Sequence, residues 1–179
     1  VFNSITINRG AVTLDIIRFE GNINETSVYI GRNAASVEIR RSLFLHEEVF
    51  GSGGAPQPQN ASAISTAPMF RGLLRLDRTY VEGYTIGVYM NGGQTLEIVN
   101  SRFNRNGAGL RANRGNVHIE GSRFEYTRGT DIYLELSIFT TINCYLYSNE
   151  VGIKSLSFAT YDLWLENRFA DNVDDILTI

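Results

Sequence analysis

Gln94-Thr95-Leu96-Glu97-Ile98-Val99-Asn100-Ser101-Arg102-Phe103 is followed along the chain by Asn116-Val117-His118-Ile119-Glu120-Gly121-Ser122-Arg123-Phe124. Both runs alternate apolar and polar residues, then carry a Ser-Arg pair and close on phenylalanine. Phe103 and Phe124 stand 21 residues apart; Leu146 follows 22 later and Phe169 another 23 later. Upstream, Tyr80 precedes Phe103 by 23, and Phe44 and Phe19 fit with longer gaps. A period of 21–23 residues, with at least seven copies, therefore runs through the chain, and self-similarity of that length marks a stacked repeat.

Within each copy the apolar period is two. Val12, Leu14 and Ile16 alternate with Thr13 and Asp15; Val37 and Ile39 flank Glu38; Leu74 and Leu76 flank Arg75. This is the pattern of a strand with one buried face. A second apolar site falls at the aromatic position and a third near Ile30, Val88, Leu110, Ile132, Ile153 and Ile176. Three short strands per copy are expected. Asn22, Asn106, Asn149 and Asn172 recur three residues after the ring or leucine position, with Gly107, Gly109, Gly129 and Gly152 nearby. These residue types accept the left-handed backbone of a sharp corner and are assigned to the corners. Three strands and three corners make one turn of a coil, and successive turns stack about 4.8 Å apart. The expected fold is all-β: a right-handed parallel β-helix of seven to eight turns. A β-propeller needs nearer 40 residues per blade.

The Asn-Ser-Arg-Phe-x-x-Asn-x-x-Gly run at Asn100–Gly109, with weaker copies at Gly121–Gly129 and Glu166–Asn172, resembles the pectin-lyase-like superfamily of right-handed β-helices. The resemblance implies the fold and leaves the function open among polysaccharide lyases and hydrolases, epimerases, tailspikes and surface or filament proteins. Phe50–Ala55 is similar to repeats of bacterial or algal surface proteins.

The chain of 179 residues is 43% hydrophobic and 20% charged, enough for one packed domain over residues 1–179 and too apolar for a disordered one. No apolar run is long enough to span a bilayer. A single cysteine, Cys144, excludes an internal disulfide, and two histidines, His46 and His118, argue against a histidine-rich metal site. Val1 in place of an initiator methionine suggests a mature or excerpted piece of a longer protein. Asn24 and Asn60 fit the glycosylation pattern, which points outside the cell. Between Phe44 and Tyr80 the spacing widens to 36 residues, and a loop at about 46–71, rich in Gly and Pro, is expected there.

Of 16 basic residues, only Lys154 is lysine. Arginine's planar fork suits carboxylates and sulfates. Arg18, Arg102, Arg123 and Arg168 each precede the buried ring and form a candidate stripe for an acidic glycan, unless Glu20 and Glu125 neutralise it. Thr13, Glu38, Arg75, Glu97 and His118 make one outward column, and Asp15, Arg40, Asp77, Val99 and Glu120 its neighbour. Opposite charges in these columns stabilise stacked strands. In an enzyme of this fold the same face would be the groove. His118 or Arg75 would then serve a lyase, and Asp77 with Glu97 or Glu120 a hydrolase. Yet the Asp-Asp, Gly-His-Gly and Arg-x-Lys set of a polygalacturonase is missing, as are the calcium aspartates of a pectate lyase. Asp171, Asp174 and Asp175 read as a solvated edge rather than a calcium site, so no metal or cofactor is expected. Tyr161 and Trp164 are candidates for a sugar platform.

The leading expectation is thus a non-catalytic extracellular or cell-surface β-helix with a structural, adhesive or glycan-binding role. Its partners would be acidic polysaccharide or further β-helix copies stacked end to end, with neither nucleic acid nor membrane insertion. A polysaccharide lyase or hydrolase is the alternative.

Overall fold

The computed structural model describes residues 4–21, 25–46, 61–156 and 160–178, with side chains outside 160–165. The described residues form strands and turns only, and every strand pairing is parallel. Seven three-residue strands, Arg18–Glu20, Leu43–Leu45, Tyr80–Glu82, Arg102–Asn104, Arg123–Glu125, Tyr145–Tyr147 and Arg168–Ala170, stack in chain order as one sheet. Each marks one turn of a solenoid. The rest of each turn joins a second sheet, built from Ile5–Asp15, Val28–Arg40, Ile86–Val99, Ala108–Glu120 and Thr130–Ile142, with shorter pieces at Ser62–Thr66, Leu73–Asp77, Val151–Ser155, Thr160–Leu165 and Asp174–Thr178.

Two of the three strands expected per turn are therefore fused in most turns. The fusing corner is absorbed by one or two residues of positive φ, such as Arg114 (63°) with Gly115 (149°), or Leu136 (51°). The ladder to the next turn runs straight through it, from Asn113↔Glu135 to Gly115↔Ser137. At the longer corner Ala67–Gly72 the strand divides, and there Phe70 N–H donates to Ala67 C=O at 3.0 Å; it divides again between Val151–Ser155 and Thr160–Leu165.

Inside, like stacks on like. Phe19 lies over Phe44 with ring centres 4.5 Å apart, and Phe103 over Phe124 at 4.7 Å with planes 3° apart; all four are fully buried. Between these pairs the column is filled by Val81, paired with both Phe44 and Phe103, and not by Tyr80. Tyr80 pairs with Arg102 on the outer face. A ring in a one-residue-shifted position must leave the core, because side chains alternate between faces. The third apolar column runs Ile64, Val88, Leu110, Ile132, Ile153 and Ile176, and its upstream member is Val28 rather than Ile30.

The loop expected at 46–71 is shorter than that. Ser62–Thr66 is a strand paired with both neighbouring turns, Phe70 is in the core, and His46 is buried. Residues 47–60, with the Phe50–Ala55 motif and Asn60, lie outside the described residues, as does Asn24.

The asparagines do not take the left-handed corner. That conformation falls on the residue before each: Arg105 (51°), Ser148 (54°) and Asp171 (55°). Asn106, Asn149 and Asn172 instead turn their amides inward. Asn106 Oδ1 accepts from Tyr84 N–H and its Nδ2 donates to Val81 C=O; Asn149 Oδ1 accepts from Thr127 N–H; Asn172 Oδ1 accepts from Asn149 N–H at 3.0 Å. A tight corner leaves backbone groups buried and unpaired, and these side chains satisfy them. Asn22, the fourth of the set, is not among the described residues.

The opposite corner of the short strand has its own ladder. Thr79 N–H donates to Ser101 Oγ at 3.1 Å, and Ser101 N–H to Ser122 Oγ at 3.0 Å. Cys144 occupies the next rung, buried in the corner and not within a strand, with its thiol 3.3 Å from Ile142 C=O. Burial pushes the thiol pKa up, so it is a small weak donor and not a nucleophile. Cys144→Ser is expected to keep the rung and change stability by no more than about 1 kcal/mol in a chemical melt. A collapse of the transition would show that the thiol itself is required.

Candidate functional site

The face proposed for catalysis is built as the spacing predicts. Thr13, Glu38, Arg75, Glu97 and His118 are consecutive Cα partners, and so are Asp15, Arg40, Asp77, Val99 and Glu120. Several of these charges pair within the columns. Arg75 reaches Glu97 at 2.5 Å and Glu38 at 3.6 Å. Asp77 is 3.4 Å from Arg78, and His118 Nε2 is 3.8 Å from Glu120. Arg41 forms a forked pair with Asp15, whose carboxyl is held below the usual range mainly by that hydrogen bond. Of the groups a lyase or hydrolase would use, Arg75 and Glu97 thus pair with each other across adjacent turns, Asp77 meets the next residue along the chain, and Glu120 meets His118 of its own strand. Among the described residues no group of three or more His, Cys, Asp and Glu is placed to hold a metal, and Asp175 accepts a hydrogen bond from Asn172.

The arginine stripe lies on the outer face of the short-strand sheet, but it is interrupted. Its column reads Arg18, Leu43, Tyr80, Arg102, Arg123, Tyr145, Arg168. Its members differ in what they touch. Arg18 pairs with Glu20 at 2.8 Å. Arg102 donates to Glu125, which is almost fully buried, at 2.7 Å, and lies 5.7 Å from the centre of the Tyr80 ring. Tyr80 in turn donates its hydroxyl to Glu82, which Asn104 also holds, and burial raises the phenol's pKa. This half of the column is internally satisfied.

The other half is not. Arg123 and Arg168 are exposed, and neither has an ion-pair partner among the described residues. They stand one on each side of Tyr145 and line a depression of about 570 Å³ with Gly121, Ser122, Asn143 and Cys144. Tyr145 stacks on Tyr147 at 5.8 Å between ring centres, and the exposed Tyr126 meets Tyr147 edge-on at 5.4 Å. Forked cations of this kind form charge-assisted hydrogen bonds to anions, and exposed rings pack against flat surfaces. The tyrosines escaped the sequence reading because only the arginines were aligned; Tyr145 falls at the same repeat position and would have been found by writing out the whole column. The side chains of Tyr161 and Trp164 lie outside the described residues.

A second column was overlooked altogether. Tyr89, Arg111, Tyr133 and Lys154 are consecutive partners on the outer face of the long-strand sheet. Their spacings of 21 or 22 residues were the available signal.

Comparison with known proteins bears on the fold. A family model described as right handed beta helix region matches residues 86–179. No curated protein and no solved structure matches the chain. The matched half holds the Phe103–Phe124 stack, the asparagine rungs and the Arg123–Tyr145–Arg168 surface, and with parallel turns on either side of the match the chain belongs to the right-handed β-helix family.

Proposed function

We propose that the domain is a non-catalytic extracellular module of a surface or filament assembly that binds an acidic polysaccharide on its short-strand sheet. The observation that carries this is the pair of unneutralised arginines, Arg123 and Arg168, set about the Tyr145 ring beside a depression. The competing enzymatic reading depends on Arg75, Asp77, Glu97, His118 and Glu120, nearly all of which lie within ion-pairing distance of a charged neighbour. A base or nucleophile must be available to substrate, and Arg75 and Glu97 are engaged with each other.

The test is binding of the intact chain to immobilised uronate polysaccharides. Arg123→Gln with Arg168→Gln should weaken binding roughly tenfold or more, since hydrogen bonds to charged groups contribute about 1.5–3 kcal/mol each. Binding should also fall as salt rises, because exposed charges are screened within about 8–10 Å at physiological ionic strength. Release of unsaturated uronate products by the wild type, abolished by His118→Ala, would overturn the reading in favour of a lyase.

A further inference from the structure

We propose that the long-strand sheet carries a second anionic-saccharide site, centred on Arg111 and Lys154, which makes the domain a two-faced binder of a polymer with anionic groups on alternate sugars. The ligand class rests on the reading above; the residues do not, and they lie on a different sheet.

Arg111 is exposed, yet its guanidinium is held between two rings, 6.0 Å from the centre of Tyr89 and 5.1 Å from that of Tyr133. Such stacking fixes the side chain while leaving its N–H edge to solvent, so less entropy is lost when the fork closes on a carboxylate or sulfate. No ion pair neutralises Arg111 among the described residues. Beside it lies a depression of about 680 Å³ lined by small residues such as Gly107, Ala108 and Gly129, with a further cation, Arg128, on its wall. Lys154 follows on the far side of Tyr133.

The arrangement repeats the other face. In three successive turns the short-strand sheet presents Arg123, Tyr145 and Arg168, and the long-strand sheet presents Arg111, Tyr133 and Lys154. On each face the cations are two strands apart, two spacings of about 4.8 Å, with a ring between them. A saccharide chain lying along the solenoid axis would set an anion on each cation and an uncharged sugar over the ring. The spacing is close to the length of two sugar residues, so a polymer with an anion on every second sugar meets both cations and lays its uncharged sugar on the ring.

The experiment is calorimetric titration of the whole chain with a hyaluronan octasaccharide, which carries a carboxylate on every second sugar. Two oligosaccharides per chain are expected. Arg111→Gln with Lys154→Gln should leave one, with the remaining affinity unchanged, and Arg123→Gln with Arg168→Gln should leave the other. Arg111→Lys keeps the charge but loses the fork, and should weaken this site roughly tenfold. A wild-type stoichiometry of one that survives Arg111→Gln with Lys154→Gln would overturn the second site and leave the first standing. Loss of binding only in that variant would uphold this site and remove the first. An octagalacturonate, charged on every sugar, binding this face as tightly would overturn the alternate-sugar match.

Discussion

Phe124→Ala should cost about 3–5 kcal/mol in a reversible chemical melt, the range for deleting a packed core ring. Phe124 is fully buried, stacked on Phe103 at 4.7 Å and paired with Leu146 in the turn that follows. Its ring also fills the space over Gly109, where an added Cβ would come within 2.6 Å of Phe124 Cδ1. Removing the ring opens a void bounded by two hydrogen-bonded ladders, which cannot close over it without breaking rungs, so the loss should sit at the upper end. A change of under about 1 kcal/mol would mean that the ring column is not the core of the domain.

Asp131→Asn is expected to stabilise the protein increasingly as pH rises. Asp131 takes the place in its turn that Gly87, Gly109 and Gly152 take in theirs. Gly87, Gly109 and Gly152 each face a phenylalanine ring, Phe103, Phe124 and Phe169; the turn of Asp131 carries Leu146 at the ring position, and the smaller side chain leaves room for a carboxyl. That carboxyl is fully buried, with one oxygen bonded to Thr127 Oγ1 and the other, Oδ2, without a partner. Burial pushes its pKa well above 3.8, with nearby Glu125 adding to the rise and the Thr127 hydroxyl and Asn149 amide opposing it. The folded state therefore keeps a proton that the unfolded chain releases above 3.8. Stability from this group is greatest below that pH and declines as pH climbs to the raised folded value, by up to about 1.4 kcal/mol per unit. Asparagine has no proton to release, so the variant's melts should lack this decline, and the gap between the two proteins should widen from pH 4 upward. An asparagine variant that is less stable by the same margin at every pH would show the carboxyl to be a structural hydrogen-bond partner only.

The solenoid was legible because its signal is periodic at two scales. Two-residue alternation names the strands, and the recurrence of Phe103, Phe124, Leu146 and Phe169 names the turn. The errors came where one residue can serve two purposes. Tyr80 has the aromatic character of the core column, but its neighbour Val81 is in register, and a shift of one position puts the hydroxyl among Glu82 and Asn104. Glycine and proline marked the interruption after Phe44 correctly, yet Ser62–Thr66 is too short and too polar to announce itself as a strand; its hydrogen bonds to both neighbouring turns decide it. The outward charge columns were readable in full, since the register that stacks the core also stacks the surface. Which arginines are already paired was not readable, because Glu125 lies in the turn above Arg102 and only the folded geometry brings it within 2.7 Å.

The parallel register of this molecule sets the size of change it can tolerate. Every column, from the phenylalanines to the serine and asparagine rungs, is joined to its copies one turn away. Losing or gaining one residue inside a strand would turn the inner face outward for the rest of that strand. Losing or gaining an entire turn of about 22 residues would leave every rung with an equivalent neighbour and every ladder unbroken. The natural step by which such a chain grows or shrinks over generations is therefore a whole storey, and the spacing of cations along its outer faces is copied with each storey added.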